Sequence, residues 1–331
     1  MSVPAPETDS KLLEGQVAGH GGVQLSPDGS TVIKPSVASE LHFYTQLQAA
    51  SQGTGAYSSA SQLRDDLARL SAWTPAFRGE VLDESRDSTQ QEATKQKALI
   101  QLENLTHGFA KPCVLDVKLG TQLWDESDAS EEKRARMNKT ALETTSAETG
   151  IRFTGCRIWD SSASAWFELP KAFGKSIDAS LLPLGFSSYF SDPLDSDEAR
   201  LSQVASRAGF KLPEGGHLPR LPPKIVAYLL QHSLAALNEF RALFANIELR
   251  MRGGSLLFIY EGHLPSLETA IEAHDTGSKV LSVKLIDFAH TRLTPGEGPD
   301  LGVLRGVDTT IAIIDRLLKD VKAGRATQDH A

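Results

Sequence analysis

The amino-acid sequence predicts an α+β protein built from two lobes. Strand-like segments come first along the chain, and mixed helices and strands follow them. This segregation is typical of α+β folds, because α/β folds alternate their strands and helices regularly. The chain has 331 residues, 40% of them hydrophobic and 23% charged, which is enough for two lobes that each bury a core.

A β-hairpin is the first element that the sequence predicts. Val23 and Leu25 lead into the turn-forming residues 26–29 (Ser-Pro-Asp-Gly), and residues 31–34 lead back out. Proline and glycine at these positions favour a tight reversal of the chain. A helix over 39–48 is predicted next, from apolar residues at helical spacing.

Later elements follow from periodicity, turn residues and helix-start signals. Asp128 and Glu131 have the spacing of a capping box, which predicts a basic helix over 128–146. Polar stretches predict loops at 51–61, 81–97 and 262–278. The remaining predicted elements are strands at 98–102, 112–118, 151–158, 255–260 and 280–288, a helix from Pro222-Pro223 that stops at Gly253-Gly254, and a closing helix over 303–321.

Composition excludes several classes of protein. No apolar stretch approaches the roughly 18 residues of a membrane span, and the N-terminal residues lack the apolar segment of a secretory signal. The net charge of −8 argues against a general nucleic-acid binder. Cys113 and Cys156 are far apart without metal-ligand spacing, so each is predicted to be a buried structural thiol.

Four residues could carry chemistry, and each has a plainer alternative. Asp287 ends an apolar strand, where a carboxylate can hold a metal ion or simply cap the next turn. Asp116 and Lys118 are two apart on a strand and share a face, as a surface pair or as ligands of a hydroxyl and a phosphate. Lys34 ends a hairpin strand like the nucleotide-binding lysine of protein kinases, with Glu40 placed to orient it, or it is merely solvated.

The predicted basic helix is the best candidate for a polyanion site. Lys133 and Arg136 lie three residues apart and share a helical face. Such a face is either solvated or able to grip several phosphates. Gly174-Lys175-Ser176 imitates the end of a P-loop, but Leu169 stands where that motif requires glycine. No protein-kinase H-R-D or D-F-G motif is present.

The ordered set of motifs resembles the inositol polyphosphate kinase family. Pro112…Asp116-Val117-Lys118-Leu119-Gly120 is similar to its P-x-x-x-D-x-K-x-G signature, and Ile286-Asp287-Phe288 to its I-D-F metal motif. Ser255-Leu256-Leu257 is similar to its S-S-L-L segment, with Gly254 in place of the first serine. Residues 16–20, 28–34 and 40–44 resemble the first lobe of the multikinase branch, and 131–137 its fungal members.

The resemblance implies a two-lobed, protein-kinase-like fold with antiparallel sheets and an ATP cleft between the lobes. It implies a disordered segment 1–14, an N-lobe over 15–105, a C-lobe over 106–322 and a flexible tail over 323–331. The nucleotide would be held by the backbone of Glu103 and Leu105, by Asp116 on the ribose and by Lys34 on the phosphates. Asp287 and Ser255 would bind Mg²⁺, and Lys118, Lys133, Arg136 and Lys175 would contact an inositol polyphosphate.

Three interpretations remain open at this point. The chain could be a multikinase acting on tris- and tetrakisphosphates, a member of the hexakisphosphate kinase or trisphosphate 3-kinase branch, or a non-catalytic scaffold for transcription regulators. The family resemblance also implies a monomer in the cytoplasm and nucleus. No direct contact with nucleic acid is expected.

Overall fold

The structure is a computed structural model, which describes residues 11–12, 23–81, 98–192, 197–212, 218–273 and 279–328. Its strands are β1 (Lys11–Leu12), β2 (Gln24–Leu25), β3 (Thr31–Ser36), β4 (Phe77–Val81), β5 (Ala98–Glu103), β6 (Pro112–Leu119), β7 (Ile151–Asp160), β8 (Ala165–Leu169), β9 (Leu249–Arg252), β10 (Ser255–Glu261), β11 (Leu281–Ile286) and β12 (His290–Leu293). Its helices are α1 (Ala38–Gln52), α2 (Gln62–Ser71), α3 (Glu131–Leu142), α4 (Ser146–Thr149), α5 (Lys171–Ser176), α6 (Leu182–Tyr189), α7 (Asp197–Ala208), α8 (Pro223–Phe244), α9 (Leu264–Glu272) and α10 (Leu301–Gln328).

Two five-stranded sheets organise the chain, and a two-stranded ribbon completes it. The first sheet has the order β1-β2-β3-β5-β4, and the second has the order β11-β10-β6-β7-β8. β9 and β12 form the ribbon. All pairings are antiparallel. The α+β class and the antiparallel sheets are therefore as predicted.

The predicted hairpin is confirmed by the pairing of β2 with β3. Gln24 lies opposite Ile33, and Leu25 opposite Val32. The Asp28 side chain accepts hydrogen bonds from the Ser26 and Ser30 hydroxyls, and Gly29 takes the left-handed φ of 71° that the turn requires. Turn chemistry alone was thus sufficient to locate this element.

A buried apolar layer lies beneath the second sheet, between it and the long helices. The inward residues of β6 and β10, such as Leu115, Val117 and Phe258, are buried against residues of α6 and α8. The apolar stripe predicted for α8 is confirmed, since Val226, Leu229, Leu230, Leu237, Phe240 and Phe244 are all fully buried. Both cysteines are free and buried, as predicted.

Several element bounds differ from the sequence predictions. α8 ends at Phe244 rather than at Gly253-Gly254, because the intervening residues form β9 and the glycines turn it into β10. The predicted loop 262–278 contains α9, which Pro265 opens in its first turn. Within the segment predicted as disordered, Lys11 and Leu12 pair with β2. α10 continues to Gln328, into the predicted tail, through helix-forming residues such as Lys322 and Ala323.

Part of the sequence-based description lies outside the described residues. This applies to segments 1–10 and 13–22, to most of the predicted loop 81–97, and to residues 329–331. The lobe boundaries drawn from the sequence remain predictions. None of the described helices is long and apolar enough to cross a bilayer.

Candidate active site

A short loop after β11 carries the carboxylate that the sequence predicts to be a metal ligand. Asp287 has a left-handed backbone with a φ of 67°, a conformation that is uncommon for a residue with a side chain and is concentrated at functional sites. The next residue, Phe288, is fully buried, and its ring packs against Phe43 and Tyr44 of α1 at 4.9 and 5.2 Å. The buried ring anchors the loop, whereas the Asp287 carboxylate remains accessible.

Lys34 of β3 lies against this loop and is held by two carboxylates. Its Nζ is 2.8 Å from Glu40 Oε1 and 3.4 Å from Asp287 Oδ1. Glu40 is buried, accepts a hydrogen bond from the Ser36 hydroxyl, and also accepts the backbone N–H of Phe288. Burial of the Lys34 ammonium group lowers its pKa, but the neighbouring carboxylates of Glu40 and Asp287 have the larger combined effect. The pKa of Lys34 is therefore raised. The orienting role predicted for Glu40 therefore matches its position.

Asp116 and Lys118 occupy adjacent positions on one face of the second sheet. Lys118 lies directly opposite Ser255 of β10 on one side and Arg152 of β7 on the other. Directly opposed residues of antiparallel strands point to the same face, as do residues two apart along a strand. One sheet face thus presents Asp116, Lys118, Ser255 and Arg152 together, with Asp287 at the end of the neighbouring strand.

Asp116 is a buried carboxylate with one oxygen, Oδ1, that has no hydrogen-bond partner within the described residues. Only 4% of the residue is exposed, and burial, followed by the nearby charge of Asp287, raises its pKa to about 6 against the opposing effects of Lys118, Ser255 and Thr154. Among the described residues, Asp116 Oδ1 and the hydroxyls of Ser255 and Thr154 have no hydrogen-bond partner. Buried polar groups are normally paired, so these oxygens mark a place for a polar ligand.

Arg152 is a second unpaired group on this face, and the sequence interpretation missed it. The residue is 7% exposed, and its Nε and one terminal nitrogen have no partner in the described parts of the chain. Burial lowers its pKa, and Asp116 partly compensates. The available signal in the sequence was weak: Arg152 and Arg157 both interrupt the strand-like run 151–158, and only the strand pairing places Arg152 opposite Lys118.

Two lysines of α5 complete a positive wall beside Arg152. Lys171, which was also missed, has a lowered pKa, first through partial burial of its ammonium group and then through the charges of Lys175, Arg152 and Lys118. Lys175, which was predicted to contact substrate, lies on the same short helix. α5 packs so closely on β7 that a side chain at Gly174 would collide with the Phe153 carbonyl. The close packing of α5 on β7 thus explains why position 174 is glycine, without any role in phosphate binding by a P-loop.

Lys118 is aimed by the turn between β9 and β10. Its Nζ donates a 2.6 Å hydrogen bond to the Gly253 carbonyl. The neighbouring Gly254 replaces the first serine of the family segment, and Met251 explains this, because a Cβ at Gly254 would overlap the Met251 side chain. Ser255 keeps the hydroxyl that faces the site.

The predicted adenine-binding segment links the two sheets. Asn104 holds it in place: its side chain donates to the Gly29 carbonyl and accepts from the Thr106 N–H. Leu105 belongs to a small buried apolar cluster with Phe109, against which the half-buried Leu257 and Ile286 pack. The Glu103 N–H is bonded to Ala76 and its side chain pairs with Lys279. An apolar slot beside a backbone edge is suited to a planar heterocycle.

The basic helix begins later than predicted and has a different cap. Ser130 is its N-cap and accepts the Lys133 N–H, so Asp128 is not the capping residue. Ser130 takes the role because it directly precedes the first helical turn, where its oxygen reaches that N–H. Asp128 instead pairs with the Lys133 side chain at 3.1 Å. Arg136 is exposed and makes no ion pair within the described residues.

Asp128 also connects this helix to the metal-ligand loop. Its second carboxylate oxygen lies 3.7 Å from His290 Nδ1, and His290 is three residues beyond Asp287. The start of α3 and the Asp287 loop are therefore neighbours. Lys133 thus pairs with a carboxylate that also lies near His290, and its contact with a substrate stays a prediction.

The donor set fits a divalent cation that also binds phosphate. The described ranges contain no cluster of three histidine, cysteine or acidic side chains that could hold a metal by themselves. Asp287 and the unpaired Ser255 hydroxyl are oxygen ligands of the kind that Mg²⁺ and Mn²⁺ use, and such ions commonly complete their coordination with substrate phosphates. Asp287 and Ser255 are therefore candidate ligands for such an ion.

Comparisons with known proteins agree with this geometry. Residues 99–208 and 223–315 match the family model described as inositol polyphosphate kinase. The chain is 30% identical to an inositol polyphosphate multikinase of Schizosaccharomyces pombe, over 94% of this chain and 98% of that protein. It is 29% identical to the Saccharomyces cerevisiae multikinase, over 92% and 97%. A crystal structure of the multikinase from S. cerevisiae in complex with ADP and Mn²⁺ superposes with a TM-score of 0.64 and 29% identity, covering 88% of this chain and all of that one.

Proposed function

The chain belongs to the inositol polyphosphate kinase family, and from this we propose that it transfers the γ-phosphoryl group of ATP to inositol tris- and tetrakisphosphates, as a multikinase. The observation that carries the proposal is the convergence of Lys34, Asp116, Lys118 and Asp287 beside a buried arginine with unpaired donors, Arg152. A nucleotide and a second polyanion could each find charged partners there.

Coverage favours the multikinase branch over its relatives. Alignments to the two fungal multikinases extend over nearly the whole of both proteins. A mouse inositol hexakisphosphate kinase matches at 26% identity, over 72% of this chain but only 55% of its own length.

We assign the nucleotide to the cleft between the sheets. The adenine would lie against Leu257 and Ile286 and bond to the backbone of Glu103 and Leu105, while Lys34 would bind phosphate oxygens. Asp287 and Ser255 would hold Mg²⁺, whose positive charge offsets the charge of the transferring phosphoryl group. Binding would replace the ion pair between Lys34 and Asp287 with two new ones, between Lys34 and a phosphate oxygen and between Asp287 and Mg²⁺.

Asp116 has two candidate roles. The family resemblance placed it on the ribose hydroxyls, and its position directly opposite Leu257, against which the adenine is assigned, supports that role. The charges of Lys118 and Asp287 also act on Asp116. A second role would therefore be to accept a hydrogen bond from the acceptor hydroxyl of the inositol and align it for attack.

The inositol polyphosphate would lie along a wall of cations. Lys118 would contact the transferring phosphoryl group, and Arg152, Lys171 and Lys175 would bind substrate phosphates from the β7 and α5 side. Lys133 and Arg136 would close the site from α3. Arginine suits a buried position because its planar fork can bind two phosphate oxygens at once.

Incubation with Mg-ATP and separated inositol tris-, tetrakis- and pentakisphosphates, followed by chromatography, tests the proposal. We expect products from the tris- and tetrakisphosphates. Asp287→Asn should abolish turnover while the protein remains folded, and Arg152→Gln should raise the KM for the inositol phosphate far more than the KM for ATP.

Asp315→Asn is the matched control for loss of one carboxylate, because Asp315 pairs with Lys319 on the exposed side of α10. Its activity should equal that of the wild type. Absence of product from every inositol phosphate, with Asp287→Asn indistinguishable from wild type, would contradict the kinase proposal and favour a non-catalytic scaffold. Inositol hexakisphosphate is incubated in the same way, and product from this substrate alone would assign the chain to the hexakisphosphate kinase branch. The monomeric state, transcription-regulator partners and nuclear and cytoplasmic location stay predictions.

A further inference from the structure

Asp128 differs from the other acidic residues of the segment that precedes α3. Asp125 and Glu126 are bound by arginines: Arg292 lies 2.7 Å from Asp125 and 3.1 Å from Glu126, and Arg252 lies 2.7 Å from Glu126. These pairs tie the segment to the β9–β12 ribbon. Asp128 has no arginine partner in the described structure, and 48% of its side chain is exposed. Its removal should therefore leave the segment anchored.

The two nitrogen-bearing side chains that contact Asp128 come from different elements of the site, and His290 also lies 3.8 Å from Asp125 Oδ2. Lys133 belongs to α3 and reaches Asp128 Oδ1 at 3.1 Å, whereas His290 begins β12 and lies 3.7 Å from Oδ2. Both side chains are partly exposed, at 33% and 40%. A carboxylate between two accessible nitrogen donors occupies the kind of position in which a phosphate oxygen is bound.

We propose that Asp128 is a specificity-determining residue that opposes a substrate phosphate next to Lys133. This inference rests on the proposed function, because it requires a polyphosphate at the start of α3. A phosphate that approaches Lys133 must either displace the Asp128 carboxylate or lie beside it. Two like unit charges about 4 Å apart near a protein surface repel each other strongly enough to lower the affinity for a ligand. The Asp128 carboxylate therefore weakens the binding of any ligand that places a phosphate next to Lys133.

The penalty depends on the charge that the ligand brings to this corner. A tetrakisphosphate carries more negative charge in total than a trisphosphate, so a fixed negative charge beside the binding site repels it more strongly. Asp128 therefore selects against the more phosphorylated substrate and narrows the range that the cationic wall would otherwise accept. Building repulsion against a competitor is a recognised way to gain specificity.

Steady-state kinetics with Asp128→Asn test the inference, because asparagine keeps the shape and removes the charge. At low ionic strength we expect KM to fall roughly threefold for inositol 1,4,5-trisphosphate and roughly tenfold for inositol 1,3,4,5-tetrakisphosphate, with kcat and the KM for ATP unchanged. Both decreases in KM should become smaller in 0.5 M salt, because exposed charges then interact over only a few ångströms.

Two controls separate a local effect from a change in net charge. Asp315→Asn removes the same charge from an exposed lysine pair on α10 and should leave both KM values unchanged. In the Lys133→Ala background, Asp128→Asn should give a clearly different gain, because contacting residues are not additive. Titration calorimetry with the same two ligands in the absence of ATP should reproduce the KM changes as changes in Kd.

The outcomes distinguish this inference from the proposed function. An active wild type whose KM values are unchanged or raised by Asp128→Asn would overturn the inference alone, and a raised KM would mean that Asp128 positions Lys133 for substrate. Equal gains for the two ligands would overturn the selective role. A wild type that neither binds nor phosphorylates either ligand would overturn the proposed function and the inference with it.

Discussion

At the scale of single residues, the site is made of charges that the fold leaves incompletely paired. Lys34 has two carboxylate partners, but Asp116 Oδ1, the Arg152 guanidinium and the Ser255 hydroxyl have donors or acceptors unused within the described structure. Each unused group costs stability, because it has lost water without gaining a hydrogen bond. Unpaired buried groups of this kind are found at binding sites, where the ligand supplies the missing hydrogen-bond partner.

Asp116 allows that cost to be measured. Burial raises its pKa to about 6, above the value of about 3.9 for an unfolded chain. A raised folded-state pKa means that the folded state binds the proton more tightly, so ionisation destabilises the fold as pH rises from about 4 through 6. We expect Asp116→Asn to raise the free energy of unfolding by about 1–3 kcal/mol at pH 7.5 in EDTA, and to change it little below pH 4.

Urea unfolding of both proteins across pH 3.5–8 measures this difference. Asp160→Asn serves as a control, because Asp160 ends β7 in a solvated turn and accepts hydrogen bonds from Ser162. The difference in the free energy of unfolding between Asp160→Asn and the wild type should not become more positive as the pH rises. If Asp116→Asn were less stable than wild type at pH 7.5, the ionised carboxylate would have to be net stabilising, through Lys118 and Arg152. The same variant should be inactive if Asp116 aligns the acceptor hydroxyl.

At the scale of elements, α10 is positioned by a contact between two backbones. Gly306 of α10 lies against Gly150, the residue before β7: a Cβ on Gly306 would be 2.2 Å from the Gly150 carbonyl oxygen. Gly150 itself has a left-handed φ of 72°. The helix can therefore approach the strand only where side chains are absent, and this approach helps to hold β7, which carries Arg152.

We expect Gly306→Ala to destabilise the protein by about 2–4 kcal/mol, because the methyl group forces backbone apart in a buried contact. Gly324→Ala is the matched change on the same helix, since nothing lies within 4 Å of a Cβ there. It should be neutral or stabilise by up to about 1 kcal/mol through helix propensity. Thermal unfolding of both variants measures the difference. Equal changes in unfolding temperature for Gly306→Ala and Gly324→Ala would show that α10 packs loosely on Gly150.

The elements that sequence reasoning predicted are those with a local signal. The β2–β3 hairpin has turn residues, and α8 has an apolar stripe, and both were found. β9 was missed because Ile247 and Met251, both fully buried, continue the helical spacing of the apolar residues of α8. The cap of α3 was misplaced because Asp128 and Ser130 are both good N-caps, and only packing selects between them.

Site residues show the same division. Lys34, Asp116, Lys118 and Asp287 stand in motifs with fixed spacing, so a family resemblance could identify them. Arg152 and Lys171 come to the site through the pairing of β6 with β7 and the close packing of α5 on β7. These are long-range contacts that no local pattern specifies. Asp128 meets His290 in the same way, because His290 lies 162 positions further along the chain (290 minus 128), whereas its other partner, Lys133, is only five residues away.

At the scale of the whole molecule, one buried apolar cluster contains residues of both sheets, and a set of polar contacts joins them around the cleft. The Ser39 hydroxyl donates to the Ala289 carbonyl, Glu40 accepts from Phe288, and Lys34 pairs with Asp287. All of these contacts join α1 or β3 to the loop that follows β11. A ligand that binds Lys34 from one lobe and Asp287 from the other would add to the same junction, so ligand binding and the stability of the folded chain should be linked.

Nucleotide binding should therefore raise the unfolding temperature, and the increment should depend on metal through Asp287. Mg-ADP at about 100 times its Kd adds about 2.7 kcal/mol, which corresponds to a shift of about 4 °C for a chain of this size. We expect ADP in EDTA to give a smaller shift in the wild type. Asp287→Asn should show that smaller shift with or without Mg²⁺, and Lys34→Met should lose most of it in both conditions. Differential scanning fluorimetry with the three proteins measures all six shifts. An Asp287→Asn variant that retained the full Mg²⁺-dependent increment would place the metal on other ligands, whereas an unshifted wild type would remove the nucleotide from the cleft.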